Sequence, residues 1–177
     1  DDEALFYELV SLPGEGSLSL GNTGAFSFDP AGAFEDLANN DTRSVTFTYL
    51  VSDGTLAVEQ EVTITVTGSN DGPKAVTAEI AANEDTQIIG QLVATDVDVG
   101  DALTFAVLSP PAKGTLVLAN DGSFSYSPSG AFETLSQGVT EGVSFTYSVS
   151  DGMQTVLKLA NLTITGANDI PVITGLT

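Results

Sequence analysis

The chain repeats itself. Sliding the sequence along itself brings Gly16 onto Gly114, Phe34 onto Phe132, Asp53 onto Asp151 and Pro73 onto Pro171, all at one offset of 98 residues and without a gap. About four in ten of the overlapping positions are identical, far above chance for a fixed offset. A period of that length is the size of one sandwich domain, so the chain holds one whole repeat and most of another. The predicted bounds are 1–69 for a first repeat lacking its first two strands, 70–73 for a linker, 74–167 for a complete second repeat, and 168–177 for a second linker with the start of a further repeat. On this alignment Asp1 falls opposite Val99. The sequence is therefore read as a segment of something longer, with Pro171 to Thr177 beginning the next first strand.

The complete copy reads as seven short strands. Ala75–Ala82 and Gln87–Ala94 are the first two, and in Ala102–Leu108 the residues Leu103, Phe105 and Val107 share one face until Pro110-Pro111 ends it. Thr115–Leu118 and Ser123–Ser127 flank Asn120-Asp121-Gly122, a strong hairpin signal. Ser144–Val149 alternates cleanly, with Phe145, Tyr147 and Val149 inward, and Met153–Thr165 is the last strand after the Asp151-Gly152 turn. No helix is expected. The predicted fold class is all-β: tandem antiparallel two-sheet β-sandwich domains.

Chemistry concentrates in Thr95–Asp101, Thr-Asp-Val-Asp-Val-Gly-Asp. Alternate residues of an extended segment point the same way, so Asp96 and Asp98 are expected to share one point, and Gly100 lets the backbone bend to bring in Asp101. Clustered carboxylates without His or Cys suit a hard cation, Ca²⁺ before zinc or copper. An EF-hand is excluded, because its sixth and twelfth positions here hold Asp101 and Val107. The competing reading is a solvated acidic turn.

Bulk properties narrow the partners. A net charge of −20, with Arg43, Lys74, Lys113 and Lys158 the basic side chains, argues against nucleic acid, which needs a basic stripe, and against anionic membranes. Hydrophobic residues make up 42% of the chain, enough to build cores, so the acid must be segregated into loops. No apolar run approaches a membrane span, and no membrane insertion is expected. Cys and His are absent, which removes disulfides, thiol nucleophiles and most general-base chemistry.

Strand order brings the acidic loops together. In an up-and-down sandwich, Asp96, Asp98, Asp101 and Asp151 share the end where the chain enters the second repeat, facing Asn70 and Asp71 of the linker. Glu35, Asp36 or Asp41 is expected to reach them from the first repeat. Glu84, Asn168 and Asp169 form the corresponding set at the far end, beside Glu133 and Glu141. Asp121 is expected to serve only its turn. Gly68, Gly72 and Gly166 are read as linker flexibility.

Asn83-Glu84-Asp85-Thr86, Ala94-Thr95-Asp96-Val97-Asp98, Gly114-Thr115-Leu116, Asp121 to Tyr126, Phe145 to Gly152 and Asn168-Asp169-Ile170-Pro171 come in an order and spacing that resembles the cadherin-like, VCBS-type tandem repeats of large bacterial (RTX-type) surface adhesins. The resemblance covers the whole chain. It implies an extended, secreted, cell-surface array stiffened by calcium at the junctions between neighbouring repeats, and a role in adhesion or biofilm structure.

Other functions stay in view beside that one. Strands donated head to tail would make the chain a homo-polymer, an extracellular filament, sheath or matrix component. A calcium-dependent carbohydrate- or protein-binding module would need an open coordination position. Catalysis is not expected, since the loop carboxylates have nothing to raise a proton donor's pKa and there is no Trp for a sugar platform. Apolar residues at outward positions, Phe6, Val10 and Leu50 in the first repeat and Leu157 and Leu159 in the second, mark a contact surface unless a bulge near Ala160 and Asn161 flips the last strand.

Overall fold

A computed structural model of the chain describes residues 4–128 and 130–170. Among the described residues every regular element is a β-strand. The chain divides into two compact units, Asp1–Asp71 with Val97–Gly100, and Gly72–Asp96 with Asp101–Thr177. The expected strand start over 171–177 and the first three residues lie outside the described residues.

In the first unit β1 (Phe6–Ser11), β4 (Thr42–Ser52) and β5 (Ala57–Thr67) form a sheet in the order β1-β4-β5, and β2 (Ser17–Leu20) pairs with β3 (Phe26–Asp29) as a separate hairpin. Its buried cluster is small: Phe34, Leu37 and Val45, with Phe28, Ile64 and Val66 packed against them.

The second unit is a two-sheet sandwich. One sheet runs β10 (Thr104–Ser109), β13 (Thr140–Ser150), β14 (Thr155–Thr165), β7 (Ala78–Asn83), and the other runs β11 (Thr115–Leu118), β12 (Ser123–Ser127), β8 (Ile88–Gln91). Phe145, Tyr147 and Val149 face inward as their alternation requires, and Phe124 and Tyr126 meet them from the opposite sheet. Burying each such side chain contributes about 1.5–3 kcal/mol.

The first two expected strands are each split. Lys74–Ala75 (β6) pairs with Ala94–Thr95 (β9), after which the chain crosses and Ala78–Asn83 joins β14. That last pairing is parallel, from Ala160 opposite Ala78 to Thr165 opposite Asn83, within an otherwise antiparallel sandwich. The first and seventh strands of an up-and-down path run the same way, so they can pair only in parallel.

Two sequence expectations change. The β13–β14 ladder runs unbroken from Thr140 opposite Thr165 to Ser150 opposite Thr155, so no bulge near Ala160 flips the strand, and Leu157 and Leu159 face outward. The register shift lies instead in β10, between Val107 and Ser109, and leaves Val107 more exposed than its inward assignment required. No helix of the described residues is long and apolar enough to cross a membrane.

Candidate metal centre

Three loops of the second unit converge on one acidic point. Asp96 follows β9, Asp101 precedes β10, and Asp151 sits in the turn between β13 and β14. The antiparallel pairing of Thr104 with Ser150 holds the latter two loops side by side. One carboxylate oxygen from each of Asp96, Asp101 and Asp151 lies within 4.8 Å of the others, and all three residues are partly buried. At such separations like charges repel by roughly 3 kcal/mol per pair at an effective dielectric near 20, before screening by salt.

Each carboxylate has a local reason for its position. Asp151 Oδ1 accepts the backbone N–H groups of Met153 and Gln154 at 2.6 Å each, which fixes the turn and aims the side chain. Gly100 at φ +99° supplies the left-handed turn that returns the chain to Asp101. Residues 97–100 are bent rather than extended, so the expected shared face of Asp96 and Asp98 does not form. Asp98 is instead grouped with the first unit, buried, and its Oδ2 accepts the backbone N–H of Asp71 at 2.9 Å.

Within the first unit, Glu35, Asn70 and Asp71 line one cavity of about 310 Å³ with Phe34, Val66 and Gly68. Asn70 Nδ2 donates to the Asp71 carbonyl at 2.6 Å. Asp36 is placed differently. Arg43 Nη2 donates to its Oδ2 at 2.6 Å, and this guanidinium holds the carboxyl below the usual carboxylate range while the arginine's own pKa rises. The Asp36 carbonyl accepts the Val99 N–H at 3.1 Å. Arg43 was legible only as one of four cations, because its pairing depends on how residues 30–41 fold back toward β4.

At the far end of the second unit Glu84 is 2% exposed. Its Oε1 accepts the Ala167 N–H at 2.6 Å, while its buried Oε2 has no hydrogen-bond partner among the described residues. Asn168 and Asp169, which follow Ala167, are exposed, and Asn168 Nδ2 reaches the Asp169 carbonyl at 3.4 Å. Asp121 accepts the Ser123 N–H and hydroxyl with its Oδ1, as a turn residue does. Asp53 likewise accepts from Thr55 and Leu56, and these backbone donors lower its pKa. The donor sets at both ends are all oxygen, which fits a hard divalent cation, and a carboxylate oxygen buried without a donor fits one especially well.

Gly68 and Gly166 are not hinges. A Cβ at Gly68 would overlap the carbonyl oxygens of Leu37 and Ala38, and one at Gly166 would overlap the Ser136 carbonyl and Leu135. Both are also tied by paired backbone hydrogen bonds, Gly68 to Asp41 and Asn40, Gly166 to Val139 and Gly138. Glycine is required here for close backbone approach, which corrects the reading of flexibility.

A family model of the bacterial cadherin-like domain matches residues 70–167, and a bacterial Ig domain model matches residues 1–67. The chain belongs to the bacterial cadherin-like domain family. Cadherin structures share its fold. Human protocadherin-24 EC1-2 is similar at TM-score 0.59 and 19% identity, over 97% of this chain and 84% of that one. Drosophila N-cadherin EC1-4 gives TM-score 0.56 at 10% identity, over 94% of this chain and 43% of that one. Protocadherin gamma B2 extracellular domains 1–5 give 0.59 at 14% identity, over 97% and 35%. No curated protein matches the chain by sequence. Bacterial cadherin-like and Ig domains are typical of extracellular surface proteins, where they are structural and adhesive modules rather than catalysts, and cadherin-like domains typically bind calcium.

Proposed function

We propose that this chain is a calcium-stabilised extender segment of a secreted bacterial surface adhesin. It would space and stiffen the parent molecule in adhesion or biofilm structure, without enzymatic activity of its own. The observation that carries this reading is the convergence of Asp96, Asp101 and Asp151 within 4.8 Å. Ca²⁺ would be held there by carboxylate oxygens, removing the repulsion that the fold otherwise bears. Within the first unit Asp98, Asp71, Asn70 and Glu35 are proposed as oxygen donors of a set of their own, with Asp36 committed to Arg43. Glu84, Asn168 and Asp169 are proposed to begin a second set that a following repeat completes.

Binding restricted to the folded state adds about 2.7 kcal/mol when free ion stands a hundredfold above the dissociation constant. Because Asp96 and Asp101 bracket residues 97–100, a cation on the triad would also stiffen that loop. The test is a thermal melt in excess Ca²⁺, in chelator, and in Mg²⁺ at matched ionic strength, on the native chain and on Asp101→Asn. A calcium-specific rise in Tm that Asp101→Asn largely abolishes supports the reading. Superimposable curves would mean solvated acidic turns, and the extender mechanism would be dropped.

A further inference from the structure

Four aspartates of the chain are each followed by glycine: Asp53-Gly54, Asp71-Gly72, Asp121-Gly122 and Asp151-Gly152. Glycine puts no side chain in the way of its own nitrogen. An Asp-Gly bond is therefore where a backbone nitrogen can close on the aspartyl carboxyl carbon and form a five-membered succinimide. Hydrogen bonds decide which bond does so, because the nitrogen must leave its acceptor and the carboxyl must be free to rotate toward it.

Three of the four are tied at both atoms. The Gly54 N–H donates to Ser52 Oγ at 3.0 Å, the Gly152 N–H to Ser150 Oγ at 3.1 Å, and the Gly122 N–H to the Ala119 carbonyl at 3.0 Å. Their carboxyls are pinned as well. Asp53 Oδ1 accepts the Thr55 and Leu56 N–H groups at 2.7 Å each, Asp121 Oδ1 accepts the Ser123 N–H and hydroxyl, and Asp151 Oδ1 accepts the Met153 and Gln154 N–H groups. All three glycines are locked in left-handed turns, at φ +92°, +85° and +99°. Asp71-Gly72 has none of this. The Gly72 N–H and the Asp71 carboxyl make no hydrogen bond among the described residues, and Gly72 does not stand in a left-handed turn. Asp71 is only partly buried and lines the cavity of about 310 Å³, which gives the carboxyl room to swing and water a way to reach it.

We infer that Asp71 is the isoaspartate-forming site of this chain, and that Asp53, Asp121 and Asp151 are kept as aspartate by their turns. The Gly72 nitrogen attacks Cγ of the protonated Asp71 carboxyl. The N–Cγ bond forms, and the amide proton leaves with the carboxyl hydroxyl as water, so no oxidant or reductant is needed. Water then opens the ring at one of its two carbonyls. Addition at Cγ restores aspartate, whereas addition at the α-carbonyl breaks its bond to the Gly72 nitrogen and leaves Gly72 joined through Cγ. The backbone gains one carbon, and the free carboxylate moves from Cγ to the α position. Asp71 ends the first unit and Gly72 begins the second, so the added carbon enters the covalent connection from one to the other.

The test incubates the 177-residue protein in chelator at mildly acidic pH. Isoaspartate is then mapped by labelling with an isoaspartyl methyltransferase and by electron-transfer fragmentation of the peptides. Accumulation at Asp71 should exceed that at Asp53, Asp121 or Asp151 by at least about tenfold, since each tied site reacts only after several hydrogen bonds open. Gly72→Ala should slow the reaction at Asp71 a few-fold or more, and its Cβ meets only the Gln154 side chain, which can move aside. Ser52→Ala frees the Gly54 N–H and should raise the rate at Asp53 a few-fold while leaving Asp71 unchanged. No accumulation at Asp71, an even spread over the four sites, or a larger yield at a tied site would overturn the inference. A Ser52→Ala variant indistinguishable from the native chain at Asp53 would overturn the protection by hydrogen bonding on which it rests. Working in chelator keeps the outcome separate from that of the metal proposal.

Discussion

Lys113 Nζ meets Glu141 Oε1 at 2.6 Å beside the Phe132 ring, and at the equivalent positions Glu15 meets Arg43 at 3.5 Å beside Phe34: the pair is kept with its polarity reversed. A cation packs against the equivalent phenylalanine in both repeats, but it comes from the loop before β11 in one and from β4 in the other. Two of the four basic side chains are used this way, in a chain of net charge −20.

Reversing one partner alone should therefore cost stability. Lys113→Glu sets two carboxylates against each other and should destabilise the second unit by up to about 1 kcal/mol, the range for a partly exposed pair. Lys113→Glu with Glu141→Arg adopts the first repeat's polarity and should recover most of the loss. Urea unfolding followed at β13 amide signals measures both, and a double variant no better than the single would show that polarity and site are not separable.

Asp121 gives a pH prediction with a definite sign. The Ser123 hydroxyl and N–H hold its carboxyl below the usual carboxylate range. A folded pKa below the unfolded one contributes stability above the unfolded pKa, and that contribution is lost as pH falls through the folded pKa. Ser123→Ala should move the Asp121 titration, read by carboxyl NMR, up toward its ordinary value, leaving a shallower acid limb for the β11–β12 hairpin.

The repeat, the strands and the inward alternation of Phe145, Tyr147 and Val149 were legible because period and offset are properties of sequence order. Asp96, Asp101 and Asp151 were legible for the same reason, since strand order alone puts their loops at one end. The position of Asp98 was not, because the same-face rule holds only for an extended backbone and residues 97–100 turn. The fate of Asp36 was hidden too: Arg43 and Asp36 lie on opposite sides of a loop whose path no periodicity sets. Gly68 and Gly166 were misread since glycine serves equally for freedom and for close approach, and only the neighbouring carbonyls distinguish the two.

Those carbonyls supply the third prediction. Gly166→Ala forces a Cβ into the Ser136 carbonyl and Leu135 on a backbone tied to Val139 and Gly138, so the loop must shift. The expected cost is about 1–3 kcal/mol, the usual range for an overpacked site. Gly142→Ala, where a Cβ meets nothing within 4 Å, should be close to neutral in the same denaturant series. Similar losses at both positions would instead indicate a general effect of glycine replacement.

The last prediction separates the two units by one hydroxyl each. Tyr147 is fully buried, and its hydroxyl anchors the Val76 carbonyl at 2.7 Å, joining β13 to the segment between β6 and β7. Removing it leaves that carbonyl without its donor, so Tyr147→Phe should lower the stability of the second unit by about 0.5–1.5 kcal/mol. Tyr49→Phe removes a hydroxyl that makes no hydrogen bond among the described residues, and it should change stability by no more than a few tenths of a kcal/mol. Thermal melts of the two variants beside the native chain read this difference. A Tyr49→Phe penalty as large as that of Tyr147→Phe would mean that the hydrogen bond to Val76 is not what makes the Tyr147 hydroxyl matter.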